Sequence, residues 1–369
     1  MNTSGENNSG NEPKLGRIIK EDFKSGGLFK SLRRDFRDLK EYYISEEKHK
    51  RLKEMNWVKY IFVFWWWILK SMILKLTPLR RILLIAGFIF LLMPENMSYE
   101  RHNVNVRIET GYFGAMLIVF VLMLELKDKL LAHDELEAGR KIQNALLPEE
   151  NPEFSGWSVM LFTRSANEVS GDLVDFIKIE PNKGGFLIAD VAGKGLKAAL
   201  LTTKLQATVR AFVSDMDSGN LVAKVNDIFY RDSLRNIFAS LLYIEIEENS
   251  GMLKYVNAGH LPPIYAGSTG VKELPKGDAA LGLMKGVSYK ENNLELKSGE
   301  YFFAYSDGVT EARNESGFFY GSERLYNFLP HLRNKNAKEI GEAIISDVDK
   351  FTGDSRANDD LSLLIVKRN

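Results

Sequence analysis

The chain has 369 residues, enough for two or three units of ordinary domain size, and its 49 Lys plus Arg balance 49 Asp plus Glu, which argues against nucleic-acid binding driven by net positive charge. Cysteine is absent, which excludes disulfides, thiolate zinc sites, iron–sulfur clusters and a cysteine nucleophile. Among the five histidines only His260 and His331 lie in the carboxy-terminal half, so any metal there must be held by carboxylates.

Residues 1–13 are polar and rich in Gly and Asn, without the basic start, apolar run and small-residue cleavage site of a secretory signal, and read as a disordered tail. Residues 14–56 form a basic arm, with 13 Lys or Arg against 8 Asp or Glu between Lys14 and Glu54. Leu28, Phe29, Leu32, Phe36, Leu39 and Tyr43 recur there at helical spacing. Such an amphipathic helix either packs on the rest of the protein or lies on anionic lipid.

Residues 57–126 hold three apolar segments and read as a membrane region. The first, 57–76, is interrupted by Lys59, Lys70 and Lys75 and crowded with Trp65, Trp66 and Trp67, residues that favour the membrane interface. The second has 13 uncharged residues from Ile82 to Pro94 and the third 15 from Thr110 to Leu124. Both are short of the roughly 20 that a spanning helix usually needs, a gap that snorkelling Arg80 and Arg81 and local bilayer thinning can close. The expectation is therefore an interfacial helix followed by a transmembrane hairpin, about 80–97 and 109–126. Arg80 and Arg81 precede the hairpin and Lys127 and Lys129 follow it, so the positive-inside rule puts both flanks, and the rest of the chain, in the cytoplasm at the inner membrane.

Residues 127–150 form a linker. Glu125 to Leu147 is rich in helix formers and stops before Pro148. Leu124, Leu131, Ala138, Ile142 and Ala145 make a partial heptad stripe, which fits a homodimeric signalling helix and also a helix packed on its own domain.

From residue 151 to 369 the period changes. WSVMLFT, DLVDFIKIE, GFLIADV, FASLLYIEIE, GMLKYVNAG and EYFFAYSDG read as antiparallel strands separated by turn signals, with helices at 196–216, 221–233, 324–328 and 337–351. Strand-rich blocks without regular βαβ alternation point to an α+β sandwich. Asp172, Asp190, Asp307 and Asp359 each sit where a turn meets an apolar strand. One such aspartate reads as an ordinary turn or cap residue. Four that converge repel and raise one another's pKa unless a cation neutralises them, which points to a hard divalent metal, Mg²⁺ or Mn²⁺.

The ordered motifs IQNALLP, SGDLVDF, ADVAGKG, NAGHLPP, AYSDGVTEARN and NDDLSLLIV resemble the catalytic domain of PPM-type (protein phosphatase 2C-like) Ser/Thr phosphatases of the bacterial SpoIIE and RsbU branch, from about Asp134 to Lys367. The resemblance implies an αββα sandwich of two antiparallel sheets with two Mn²⁺ or Mg²⁺ ions in the cleft between them. It implies that Asp190 bridges both ions, that Asp307 and Asp359 complete one site, that Asp172 holds the other directly or through water, and that the Val191 carbonyl is a ligand. Ser170-Gly171-Asp172 replaces the family's usual Gly-Gly-Asp, and Ala192 stands where Ser is usual before Gly193-Lys194-Gly195; neither change removes a carboxylate. A phosphate-loop reading of AGKG fails, because Ile188 stands where that motif needs Gly and Gly195 where it needs Ser or Thr.

In the implied mechanism the two cations generate hydroxide and neutralise a phosphoserine or phosphothreonine during in-line attack, with no phosphoenzyme. His260 either protonates the leaving alkoxide or hydrogen-bonds a loop, and Lys194 either contacts the phosphate or is solvated. Asp175 and Asp360 read as outer-shell ligands or as caps. The resemblance further implies that the helix ending in EAGRKIQNALLP is a switch and that the substrate is a phosphorylated protein of the anti-sigma-factor antagonist type. The rival readings are a membrane-tethered phosphatase fold that has lost activity and serves as a scaffold, and a two-metal hydrolase of small phosphoesters.

Overall fold

The computed structural model describes residues 44, 48, 51–52, 55–93, 98–101, 104–107, 110–233, 237–268 and 270–369, with backbone only at 98–101, 104–107 and 110. The expected tail, 1–13, and most of the arm, 14–56, lie outside the described residues. The chain divides into two units, 1–128 and 129–369.

In the first unit, α1 (Trp57–Lys75) and α2 (Pro78–Leu92) are followed by the antiparallel hairpin β1 (Ser98–Arg101) and β2 (Val104–Arg107), and then α3 (Thr110–Leu146), which continues into the second unit. Pro78 opens α2, where its missing N–H costs nothing, and Arg81 donates to the Ile73, Leu74 and Leu76 carbonyls at the end of α1. Helices α2 and α3 approach closely enough that a Cβ on Gly114 would lie 2.5 Å from the Gly87 carbonyl oxygen and the Leu91 nitrogen, so the crossing requires glycine. At the charged end of the pair, Arg80 donates to Glu125 at 2.7 Å and to Asp128 at 2.6 Å. Ile44 and Leu52, two of the described residues of the arm, pack with Phe64 and Ile68 of α1.

Much of the rest of these helices is uncovered apolar surface, including Phe62 at 75%, Trp66 at 57% and Met116 at 72% exposed. Among the described residues α1 is the helix long and apolar enough to cross a membrane. The sequence reading assigned that segment to the interface and the crossings to the hairpin. Helix α1 qualifies by its length and overall hydropathy although Lys59 and Lys70 confine its uncharged run to residues 60–69, and α2 has 15 residues.

In the second unit, the described strands form two five-stranded sheets, as expected for an αββα sandwich. One sheet has the order β10-β7-β6-β5-β4, built from β4 (Asp172–Glu180), β5 (Lys183–Val191), β6 (Ala239–Glu247), β7 (Met252–Ala258) and β10 (Glu291–Glu295). The other has the order β3-β12-β11-β8-β9, from β3 (Trp157–Arg164), β8 (Ile264–Gly267), β9 (Gly270–Glu273), β11 (Tyr301–Tyr305) and β12 (Leu361–Arg368). All pairings are antiparallel.

Each inner strand serves two cores, because successive side chains point to opposite faces. In β5, Phe186 and Ile188 enter the core between the sheets, whereas Leu187, Ala189 and Val191 face α4 (Leu196–Phe212) and α5 (Ser218–Asp232). In β11, Phe302 and Ala304 face inward, while Tyr301, Phe303 and Tyr305 pack on α7 (Ser322–Phe328) and α8 (Ala337–Thr352). Two-sided burial explains the nearly unbroken apolar strings YFFAY and LSLLIV, in place of a polar–apolar alternation. Helix α8 begins with a capping box: the Asn336 side chain accepts from the Glu339 amide and the Glu339 side chain accepts from the Asn336 amide.

Candidate metal centre

The acids gather at one rim because of strand direction. In the first sheet β5 ends where β4 begins, with Asp190 opposite Asp172, and on the other side of β5 Asp190 is opposite Ser240 of β6. In the second sheet β11 ends where β12 begins; Asp307 opens the short helix α6 (Asp307–Thr310) directly after β11, and Asp359 lies two residues before β12. The sequence places a carboxylate at each of these ends, so the fold brings residues 172, 190, 307 and 359 together from both sheets.

The electrostatics record that convergence. Burial, then the negative charges of Asp307, Asp359 and Asp360, push the Asp190 carboxyl from 3.8 up to about 6, and Lys194 works against the rise. Asp307 is also raised, first by burial and then by Asp359 and Glu311. Asp172 is raised well above its ordinary value by burial and by Asp190, even though Ser362 and Ser306 stabilise its charged form. Its carboxylate accepts from the Ser362 hydroxyl at 2.6 Å and is turned toward β12, so Asp172 lies beneath the rim formed by the other three.

Asp175, Asp360 and His260 lie behind the rim. Asp175 is fully buried and accepts two hydrogen bonds from the Arg210 guanidinium, at 2.6 and 2.7 Å, on the helix-covered face of the sheet. Asp360 staples the preceding loop: one oxygen accepts from the Ala166 amide at 2.7 Å, and the other from the Gly171 amide at 2.7 Å and the Ser170 hydroxyl at 2.8 Å. The His260 backbone is clamped by the Asn257 side chain, and its Nδ1 is 2.9 Å from the Ser240 hydroxyl. Burial lowers His260 to about 4, with the Tyr305 backbone opposing the shift, so the ring is neutral at pH 7. This placement ties β6 to the end of β11 behind Asp190 and Asp307.

Lys194 is at the rim. Its ammonium donates to Asp359 at 3.0 Å and to the Asn358 carbonyl at 2.9 Å. Gly171 lies close to the site: a Cβ there would be 3.3 Å from the Val191 carbonyl oxygen and 3.7 Å from an Asp190 carboxylate oxygen. The SGD motif thus keeps the Val191 carbonyl and Asp190 against the β4 lip.

Among the described residues no three or more His, Cys, Asp or Glu side chains close into a metal cage. Asp190, Asp307 and Asp359 instead face one another at the range of electrostatic repulsion across a partly open edge. As a donor set they are hard anionic oxygens, and burial together with their mutual repulsion raises Asp190 and Asp307, which fits Mg²⁺ or Mn²⁺ and disfavours softer metals.

One set of contacts beside the rim is absent from the site residues read in the sequence. Near the end of α3, the Gln143 side-chain amide donates to the Ser170 carbonyl and its oxygen accepts from the Ser170 amide, both at 3.0 Å. Gln206 and Arg210 of α4 donate to the Leu146 carbonyl, and Thr202 donates to the Gly171 carbonyl at 2.8 Å. The end of α3 therefore grips both the loop that carries Asp172 and the helix that follows Lys194. Beside this grip is a cavity of about 330 Å³ lined by Arg140, Gln143, Leu147, Ser170, Asp172 and Thr203, among others. Its sequence signal was a polar Gln inside an otherwise helix-forming IQNALL run, next to a loop whose backbone needs partners.

With this geometry in place, comparison with known proteins supplies the family. The family described as Stage II sporulation protein E (SpoIIE) matches residues 180–369, more than half of the chain. The chain belongs to the SpoIIE family. Protein IcfG of Synechocystis sp. is 28% identical over 267 residues, which cover 64% of this chain and 42% of IcfG. Phosphoserine phosphatase RsbU of Bacillus subtilis is 24% identical over 237 residues, covering 63% of this chain and 70% of RsbU. Phosphoserine phosphatase RsbP of the same organism is 27% identical over 246 residues, covering 64% of this chain and 59% of RsbP. This SpoIIE-family chain thus spans less than half of IcfG and larger shares of the other two. Among solved structures, the SiaA-PP2C domain of Pseudomonas aeruginosa superposes with a TM-score of 0.56 at 21% identity, covering 67% of this chain and 99% of that domain. That likeness establishes the PP2C fold for the SpoIIE-family unit: two antiparallel sheets with flanking helices.

Proposed function

We propose that the protein is a metal-dependent protein serine/threonine phosphatase that dephosphorylates a partner-switching protein of the anti-sigma-factor antagonist type, and that it works at the cytoplasmic face of the inner membrane. The observation that carries the reading is the convergence of Asp190, Asp307 and Asp359, from strand ends of both sheets, into a rim of mutually repelling carboxylates. The names of RsbU and RsbP, both phosphoserine phosphatases, support the substrate class.

Asp190, Asp307, Asp359 and the Val191 carbonyl would hold two Mn²⁺ or Mg²⁺ ions, with Asp172 acting from the layer beneath. Bound there, the ions would supply an activated water nucleophile and neutralise the phosphoryl charge. The chain's own part is preorganisation. Asp360 fixes the 166–172 loop, Ser362 and Ser306 hold Asp172, and neutral His260 holds Ser240 opposite Asp190. A hydrophilic cleft edge formed in this way leaves the phosphoester accessible while the sandwich core stays dry.

Control is assigned to α3. Its Gln143–Ser170 contacts and the Leu146 carbonyl's contacts with Gln206 and Arg210 give the helix a direct hold on the metal-facing lip. The exposed apolar faces of α1, α2 and α3 in the first unit are assigned to lipid contact, and the exposed Leu131 and Ile142 of α3 to a homodimer through the linker.

The test is phosphate release from phosphocasein and from p-nitrophenyl phosphate by the full chain in detergent, with and without Mn²⁺. Activity should require Mn²⁺ and be lost in Asp190→Asn. Release that persists unchanged in that variant, or that ignores Mn²⁺ after chelation, would remove the proposed chemistry.

A further inference from the structure

Lys194 occupies a position that its two simplest roles, a phosphate contact or a solvated lysine, do not explain. Both oxygens of Asp359 are already engaged: Oδ2 accepts from the Lys194 ammonium at 3.0 Å, and Oδ1 accepts from the Asp360 amide at 3.1 Å. The same ammonium is anchored a second time, on the Asn358 carbonyl at 2.9 Å. Its charge also opposes the upward shift of Asp190 and of Asp307, so one side chain partly neutralises all three acids of the rim.

The lysine is built to leave. Its side chain is 60% exposed. It stands between Gly193 (φ 120°) and Gly195 (φ 73°), left-handed conformations that glycine adopts without strain. The loop backbone is held at its two ends, by the Ala192 amide on the Phe238 carbonyl at 2.9 Å and the Ala199 amide on the Gly195 carbonyl at 3.1 Å, while the Lys194 side chain itself is held by the Asp359 and Asn358 contacts.

We propose that Lys194 is an exchangeable counter-ion of the metal centre: its ammonium holds Asp359 when no divalent cation is bound, and an entering cation must displace it to reach that carboxylate. The inference rests on the metal-centre reading above and adds a residue that competes for the site. It makes metal affinity the difference between two cation contacts at Asp359, so removal of the tethered one tightens binding of the free one. No bond is broken and no proton moves; one cation replaces another at a carboxylate.

The experiment uses the full chain in detergent and Mn²⁺ as the probe, with affinity read by electron paramagnetic resonance of free Mn²⁺. Lys194→Met should bind Mn²⁺ about two- to fivefold more tightly than the unaltered protein, the range set by an exposed ion pair. Lys194→Arg, which can still pair with Asp359, should not bind more tightly. In the unaltered protein, amine acylation of Lys194, followed by mass spectrometry of its peptide, should become faster on saturation with Mn²⁺ as the ammonium is released. If Lys194→Met binds Mn²⁺ no more tightly, or if Lys194 acylation does not rise with Mn²⁺, the exchange is wrong although the metal centre stands. If the unaltered chain binds no Mn²⁺, the metal-centre reading itself falls and the counter-ion role with it.

Discussion

Replacing Gln143 with alanine tests whether α3 governs the metal rim or merely packs beside it. The side chain makes two hydrogen bonds to one residue, donating to the Ser170 carbonyl and accepting from the Ser170 amide at 3.0 Å each. Ser170 is buried, so both backbone groups lose their partner in Gln143→Ala. At about 0.5–1.5 kcal/mol net per bond the loss is about 1–3 kcal/mol. The next residues are Gly171, whose backbone packs against the Val191 carbonyl and Asp190, and Asp172, which faces Asp190 across the β4–β5 pair. If the grip orders this lip for the cation, its energy appears as coupling, and Mn²⁺ binding should weaken by a factor between about 5 and about 150. Two measurements on the full chain in detergent decide the matter: Mn²⁺ affinity by isothermal titration calorimetry, and stability by urea unfolding in the absence of metal. A stability loss in the expected range with unchanged Mn²⁺ affinity would show that Gln143 is packing and that α3 does not control the centre.

The Asp190 environment predicts a pH dependence in metal-free protein. A folded-state value of about 6 against 3.8 means that the folded state binds more protons than the unfolded state in this window, so stability falls as pH rises from 4 to 6, by up to about 3 kcal/mol. In chelator, urea midpoints should be higher at pH 5 than at pH 7, and Asp190→Asn should flatten that slope; a flat profile in the unaltered protein refutes the repulsive rim. Arg210→Ala strips the fully buried Asp175 of both guanidinium bonds and should cost about 3 kcal/mol, the lower end for a broken buried pair because Arg210 is partly exposed. A loss below about 1 kcal/mol in urea unfolding would contradict that accounting. Gly114→Ala drives a methyl into the Gly87 and Leu91 backbone and should lower the melting temperature of the full chain followed by tryptophan fluorescence, whereas Gly111→Ala, with open space around its Cβ, should not. Equal effects at the two positions would mean that the α2–α3 crossing does not need the close approach.

The sandwich was legible because its inner strands carry apolar side chains on both faces. YFFAY and LSLLIV are nearly unbroken apolar runs, as a doubly covered sheet requires, whereas their register is set by the strands beside them. The strands of the sandwich that escaped sequence reading are β8, β9 and β10. They are four or five residues long, and ENNLE has one apolar side chain, so their pairing is set by neighbours and not by their own pattern. The same contrast holds at the site. Asp172, Asp190, Asp307 and Asp359 could be located because each sits where a turn meets an apolar strand, whereas which way each carboxylate turns depends on partners distant in sequence. Ser362, 190 residues away, draws Asp172 beneath the rim, and Arg210, 35 residues away, draws Asp175 to the other face. In the first unit, composition indicates a membrane-like region, and the lysines spaced along α1 are why this segment, long and apolar enough by length and composition to cross a membrane, reads as interfacial in the sequence.

The adjacent pair Asp359–Asp360 shows how one dipeptide serves two incompatible demands. Neighbours entering a strand point to opposite sides, so the pair divides as β12 begins. Asp359 turns to the rim, where it adds to the charge that raises Asp190 and Asp307 and where Lys194 partly neutralises it. Asp360 turns inward, where the Ala166 and Gly171 amides and the Ser170 hydroxyl surround it with donors. That inward carboxylate fixes the loop whose next residue, Asp172, underlies Asp190, and Ser170 in the same loop is the residue that Gln143 grips. A rim of like charges can persist without a cation only if something else keeps the backbone from relaxing away from the repulsion. The Asp360 staple, the buried Ser362–Asp172 bond and the α3 grip together supply that restraint on the β4–β12 side. On the proposed metal-centre reading, affinity depends on loop geometry as much as on the ligands, and a helix that released the loop would lower affinity without touching a single rim carboxylate.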